Sequence, residues 1–311
     1  MRVPTNAFPS ALVQQLHQLN SRQNRLQTQA ATGQKLQWAA DDPASMERAL
    51  DLQNVSRSNT QYGKNIDFLK ERTTASLSAI RTVNTVLDRA NEIAILADGA
   101  KSPEQLKNYA TEVDQLIRQA VSTGNSKHRG EFLFGGTRTD QPPFSLTEDA
   151  DGNVTGVTYQ GNSDVAELEV ARDSTVPLQV AGANSSGSGA PGLFADSRAQ
   201  SDIFGHLLSL RQHLAAGDTD AIASTDRPAL LNDEDQVLYR LAETGASQAR
   251  LEAADSTNTN QASQIRQSLS ATTDADLAST LVELSATQTA YRAALQSGAN
   301  LLGVSLMDYM R

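Results

Sequence analysis

The chain has 311 residues and a formal charge of −10, with 26 Lys and Arg scattered among 36 Asp and Glu. That balance excludes a basic nucleic-acid-binding face, which needs clustered cations to displace counterions from phosphates. Cysteine is absent and aromatic residues make up only 5%, which excludes disulfides, thiolate metal sites and a cysteine nucleophile and leaves little to line a large aromatic pocket.

The N-terminal stretch Met1–Asn6 has no apolar run, and no window approaches the ~18 apolar residues of a membrane span. Neither a cleavable secretion signal nor a transmembrane segment is therefore expected. From about Pro9 to Gly33, Leu12, Leu16, Leu19 and Leu26 follow steps of 4, 3 and 7, with Gln23 filling the missing step and Ala30 continuing it. This is a heptad seam. Gly33 is placed to end the helix. After a loop over 34–42, Asp42-Pro43 reads as N-cap plus first helical residue.

The segment from Pro43 to Gly99 is the strongest local pattern. Ile66, Leu69, Thr73, Ser76, Ile80, Val83, Leu87, Ala90, Ala94 and Ala97 alternate steps of 3 and 4 without an interrupting proline, as in a long rod helix. Ser102-Pro103-Glu104-Gln105 opens a third helix with a capping box. Its short link to the rod helix predicts an antiparallel hairpin.

From about Gly130 the pattern turns to strands and turns: Glu131–Gly136, then Val154–Gln160, Val165–Arg172 and Thr175–Ala181, followed by a Gly/Ser/Ala linker or loop over 182–192. Helix returns at Ser201–Ala216, with Ile203, Leu207, Leu210 and Leu214 as its apolar face. An irregular stretch over 217–232 precedes a long polar helix to about Leu269. A last helix, capped by Thr273 or Asp274, carries Leu277, Leu281, Leu284, Gln288, Tyr291, Leu295, Gly298 and Leu302 at heptad steps.

The expected fold class is mainly α with a β-rich insertion: long heptad helices form a rod from both chain ends, around a small central β lobe. Three parts follow: terminal coiled-coil assembly helices over 1–42 and 273–311, a helical rod core over 43–137 and 200–272, and a β-rich outer lobe over 138–199. A narrow seam on a helix of this length buries little against one neighbour, so the terminal helices are expected to pack on copies of the chain and to become fully ordered on assembly. Intramolecular helix packing fits the same periodicity.

Catalytic and metal constellations are not evident. Asp41-Asp42 reads as a helix N-cap. His17, His128, His206 and His213 lack HExxH spacing and have no evident carboxylate partner, and are read as surface or boundary residues. Gly135-Gly136 lies in no phosphate-loop pattern, and no GxSxG occurs. Trp38 reads as a loop-packing residue. No enzyme activity and no cofactor are expected.

The segment Ala31-Thr32-Gly33-Gln34-Lys35-Leu36-Gln37-Trp38-Ala39-Ala40-Asp41-Asp42-Pro43 resembles the loop signature of the flagellin superfamily. Asn84–Leu87 with Ala90–Ala94 is similar to its rod helix, Glu131–Thr137 to its exit into the outer lobe, and Ala275–Tyr291 through Ser305–Met310 to its C-terminal helix. The start Met1–Thr5, the Asp-Asp-Pro loop and the end Leu306-Met307-Asp308-Tyr309-Met310 resemble the hook–filament junction branch more than the filament flagellins. The resemblance implies a self-assembling ring at the hook–filament junction of the bacterial flagellum. Its implied partners are the hook-side junction protein, flagellin, an export chaperone and the type III export apparatus. Secretion would be without a cleaved signal. Under it, Leu12, Leu16, Leu19, Leu26, Leu277, Leu281, Leu284, Tyr291, Leu295 and Leu302 form the assembly seam, with Gly33, Asp41, Asp42 and Pro43 as the family loop. A filament flagellin and a soluble coiled-coil interaction protein remain the alternatives.

Overall fold

The computed structural model describes the backbone of residues 7–97, 99 and 101–309, and the side chains of 10–97, 99 and 101–299. The chain is mainly α with a β-rich insertion. Helices α1 (Ala7–Thr32), α2 (Pro43–Leu96) and α3 (Pro103–Gly124) come first. Nine short strands follow: β1 (Lys127–His128), β2 (Glu131–Phe132), β3 (Phe144–Glu148), β4 (Val154–Tyr159), β5 (Glu167–Ala171), β6 (Ser174–Pro177), β7 (Ala181–Asn184), β8 (Gly192–Asp196) and β9 (Ser201–Asp202). The chain then returns to helix in α4 (Ile203–Ala216), a single turn α5 (Thr219–Ala221), a π turn (Ile222–Asp226), α6 (Arg227–Thr273) and α7 (Leu277–Tyr309).

Two compact units form, one from 1–58 with 261–311 and the other from 59–260. The boundaries fall inside α2 and α6, not at the loops near 42 and 273, and the β lobe over 138–199 does not stand apart. Both departures have a packing cause within one unit. In the first, the connectors on either side of 33–42 and 273–276 are hydrogen-bonded together, as described below. In the second, most of the strand region shares one core with the helices, while Val170 and Val176 of the β5–β6 hairpin pack with Ile66, Leu69 and Leu251 in a smaller cluster.

That core follows the α2 seam. Ile66, Leu69, Ser76, Ile80, Val83, Leu87, Ala90, Ala94 and Ala97 are buried and Thr73 is half-buried. The capping box at Ser102 and Gln105 starts α3, and the Arg89–Glu112 ion pair at 2.6 Å bridges α2 to α3. Val113, Ile117 and Ala120 of α3 join Leu207, Leu210 and Leu214 of α4 and the seam from Ile80 to Ala97 in the larger cluster. Onto it the lobe places Phe134, Phe144 and Phe194. The Phe194 ring meets Phe144 at 4.8 Å, Phe134 at 5.7 Å edge-on, and stacks on Phe204 of α4 at 5.2 Å. Such pairs add specificity beyond the area they bury.

The strands form hairpins β1–β2, β3–β4 and β5–β6 and a sheet ordered β7–β8–β9, with β7 and β8 parallel. β3 escapes sequence reading because Pro142-Pro143 masks its start. Within 182–192, the end of β7 leads into an ordered loop that reaches β8 at Gly192. The Asn184 side-chain amide donates to the Ser188 and Ala190 carbonyls, and its carbonyl oxygen accepts from the Ser186 and Gly187 N–H groups. The stretch 217–232 is mostly helical. Gly217 ends α4 at φ +74, Asp218 caps the next turn through the Ala221 N–H, and Pro228 is the second residue of α6, which follows directly on the π turn.

Candidate assembly surface

Within the first unit, α1 and α7 pack together. Leu12 stands against Gly298, where an added Cβ would lie 2.5 Å from a Leu12 methyl, and Arg22 pairs with Glu283 at 3.1 Å. These two contacts make the pair antiparallel. On α1 the heptad positions carry the cover: Leu12, Leu16, Leu19 and Gln23 are half-buried and Leu26 is buried, while the residues between them are exposed.

On α7 the covered face is Thr280, Leu284, Thr287, Tyr291, Ala294 and Gly298, again at steps of 4 and 3. Thr280 and Thr287 are tolerated there because their hydroxyls bond back to the Asp276 and Glu283 carbonyls. The expected seam therefore divides. Leu284 and Tyr291 face α1, whereas Leu277, Leu281 and Leu295 are about half exposed, at 48%, 56% and 46%. The signal for this division was available: Thr280, Thr287 and Ala294, each one residue before a position of the expected seam, complete a second heptad track with Leu284, Tyr291 and Gly298. Leu302, the Met1–Thr5 start and the Ser305–Met310 tail fall outside the residues whose side chains are described.

Opposite α1, α7 presents an open groove of Leu281, Val282, Ser285, Ala286, Thr289, Ala290 and Ala293. Val282 is 70% exposed. From Leu277 to Met307 only Glu283 and Arg292 are charged.

The family loop is rigidly framed. Gly33 takes φ +71 and donates to the Gln29 carbonyl at 2.8 Å, ending α1 in a left-handed turn. Its carbonyl accepts from the Ala275 N–H, and the Lys35 N–H donates to the Thr273 carbonyl, both at 2.8 Å. Lys35 Nζ reaches the Ala271 carbonyl at 2.9 Å. The two connectors are thereby stitched side by side. Asp41 Oδ2 accepts the Trp38 N–H at 3.1 Å, which folds a turn that leaves Trp38 72% exposed instead of packed. Asp42 caps α2 through the Ser45 N–H at 3.1 Å, followed by Pro43. Bonds from Ser45 hold the Asp42 carboxyl below the usual carboxylate range. Asp276 caps α7 through the Ala278 N–H at 2.9 Å, in place of the expected Thr273 or Asp274. The Asp274 carboxylate is instead bound by the Ser270 and Thr273 hydroxyls, which lower its pKa.

The arrangement can align helices and bury apolar surface. Among the described residues no three His, Asp or Glu side chains converge as metal ligands, and none of the described helices is long and apolar enough to cross a membrane. Contrary to their sequence reading, three histidines lie near a carboxylate, and for two of them the contact is at hydrogen-bond distance. His206 Nδ1 lies 2.7 Å from Asp233 Oδ2, and His213 Nδ1 lies 2.7 Å from Asp226 Oδ2. The matching seven-residue spacings of the two His and the two Asp were the signal that could have paired them.

Residues 3–139 match the family model of the bacterial flagellin N-terminal helical region. Among solved structures, the fold is similar to a protein described as a flagellar hook-associated protein of Vibrio parahaemolyticus. The TM-score is 0.62 at 19% identity, over 75% of this chain and 99% of that one. It is also similar to Bacillus cereus FlgL, with TM-score 0.56 at 20% identity, over 71% of this chain and 99% of that one. The flagellar junction protein FlgL of Legionella pneumophila gives a TM-score of 0.56 at 14% identity, over 73% of this chain and 100% of that one. No curated protein matches by sequence.

Proposed function

We propose that this chain, a flagellin-superfamily protein with the fold of the FlgL-type hook-associated proteins, is a structural subunit of the bacterial flagellum. It forms the junction ring between hook and filament through coiled-coil assembly of its terminal helices. The observation that carries the reading is the outer face of α7. Leu281, Val282, Ala286, Ala290 and Ala293 lie exposed on a helix with almost no charge. Burying such a face contributes roughly 25 cal/mol per Å² of apolar surface, and small residues let neighbouring helices approach closely. Leu277, Leu281 and Leu295 belong to the intermolecular part of the seam, and Leu284 and Tyr291 to the α1–α7 pair that presents it. The stitched loop at Gly33 and the cap at Asp42-Pro43 fix where the terminal helices leave the rest of the chain.

In this role the partners are further copies of the chain, the hook-side junction protein on one side and flagellin on the other. Delivery is through the type III export apparatus with a chaperone. Deletion of the gene is expected to leave hooks without filaments and flagellin shed into the medium; full-length filaments in the deletion strain would contradict the role. A filament flagellin is separated from this reading by polymerisation of the purified protein, since long homopolymers belong to the flagellin alone.

A further inference from the structure

We propose that the corner where α4 meets the π turn and α6 is a proton-loaded clasp, closed by the His206–Asp233 bond in mild acid and loosened as the pH rises. Asp233 has no exposed surface. Its Oδ2 lies 2.7 Å from His206 Nδ1, and its Oδ1 accepts the Asp202 N–H at 3.0 Å. One buried carboxylate thus ties α6 to both the cap and the first turn of α4.

A second rung lies two helical turns along. The Asp226 carboxylate, at the end of the π turn, meets His213 Nδ1 at 2.7 Å and accepts the Ser209 hydroxyl at 2.6 Å. The π turn places Asp226 seven residues before Asp233, matching His206 and His213 on the antiparallel helix. The charged groups that act on His206 are Asp233 of α6, Asp202 ahead of α4 and Asp226 of the π turn, all acidic. The remaining face of α4 is buried and apolar: Ile203, Phe204, Leu207, Leu210 and Leu214. The His206 side chain keeps 27% of its surface, so its proton exchanges with solvent while Asp233 stays enclosed.

The bond to Asp233 holds the His206 imidazole above its ordinary value, against its own burial. Burial pushes the Asp233 carboxyl up, against the bonds from His206 and the Asp202 N–H. Both directions mean that the folded corner binds protons more tightly than the unfolded chain, so its stability falls as pH rises. The imidazole's share is complete below the ordinary histidine value and is lost as pH rises through the raised one. Above that, a buried carboxylate faces a neutral ring, an arrangement that is costly to enclose.

The test is amide hydrogen exchange on the full chain at about pH 6 and about pH 8.5, corrected for intrinsic exchange. Protection over 203–214 and 227–237 is expected to fall about tenfold per unit by which the imidazole value is raised, while protection over 80–94 of α2 stays constant. His206→Asn keeps a neutral donor near the Nδ1 position without a titrating group, and its protection at the corner should be equal at both pH values. Wild-type protection that does not change with pH, or an H206N protein that keeps the wild-type drop, overturns the clasp. Should H206N fail to fold, the His206 ring titration followed by NMR in the wild-type chain decides. A value at or below that of a free histidine overturns it, and a raised one supports it.

Discussion

Replacing Phe194 with Ala tests whether the β lobe and the helices of the second unit are one cooperative body. The ring has no exposed surface and is enclosed by Phe134, Phe144 and Phe204, which belong to the lobe and to α4. Truncating a buried Phe to Ala costs about 3–5 kcal/mol from lost transfer energy and the cavity left behind. For a unit of about 200 residues, each kcal/mol lowers the melting temperature by about 2–4 °C, so the expected fall is about 6–20 °C. Calorimetry gives the magnitude, and circular dichroism at the helical and aromatic bands gives its reach. Because Phe194 ties the lobe to α4, both bands should shift together. The reasoning is refuted if the aromatic signal melts early while the helical transition stays at its wild-type temperature, because the lobe would then be a separate domain.

Two glycines should respond with opposite sign. At Gly182 an added Cβ would lie 2.5 Å from the Phe134 carbonyl and 2.7 Å from the Tyr159 ring, so G182A should lose about 1–3 kcal/mol in urea unfolding. Gly245 lies inside α6 with nothing within 4 Å of an added Cβ, so G245A should gain about 0.5–1 kcal/mol in the same assay. Asp196 is buried and held at about 2 by Arg198, which donates Nε to Oδ1 and Nη2 to Oδ2, with help from the Gly192 N–H. Its folded value is depressed, so its contribution is present above the ordinary carboxylate value and is lost as pH falls through about 2. D196N should therefore cost about 2 kcal/mol at neutral pH and progressively less below about pH 4; a deficit that is constant with pH would contradict the assignment.

Much of the helical frame is legible in the sequence, because long unbroken heptads leave one periodicity to choose. The α2 seam from Ile66 to Ala97 is buried nearly position by position. The less legible parts are those where a polar side chain does the work of a core. Asp233 follows directly on the stretch read as irregular, yet it is enclosed and bonded to His206, and an isolated sequence does not reveal that a carboxylate will be paired. Asn184 orders a stretch whose Gly/Ser/Ala composition alone reads as a linker or loop. On α7, leucine marks the apolar face by default, but helix–helix approach favours small residues. Gly298 and Ala294 sit against α1, while Leu281 and Leu295 face out. The lobe's merging with the helical core depends on contacts distant in sequence, such as Phe134 with Phe194, which local patterning does not encode.

The division of α7 into two faces also selects the most direct test of assembly. Leu284 faces α1, so charging it perturbs the pair itself; Val282 and Ala290 lie on the opposite, exposed face. V282D and A290D, separately and together, should leave thermal unfolding of the purified chain within about 0.5 kcal/mol of wild type, as surface changes do. Incorporation is then measured by detecting the chain in sheared flagella from cells that carry only the variant gene. The account predicts a folded protein that is absent from the flagella and cells that build no filaments. Wild-type incorporation of the double variant would contradict burial of this face in the assembly.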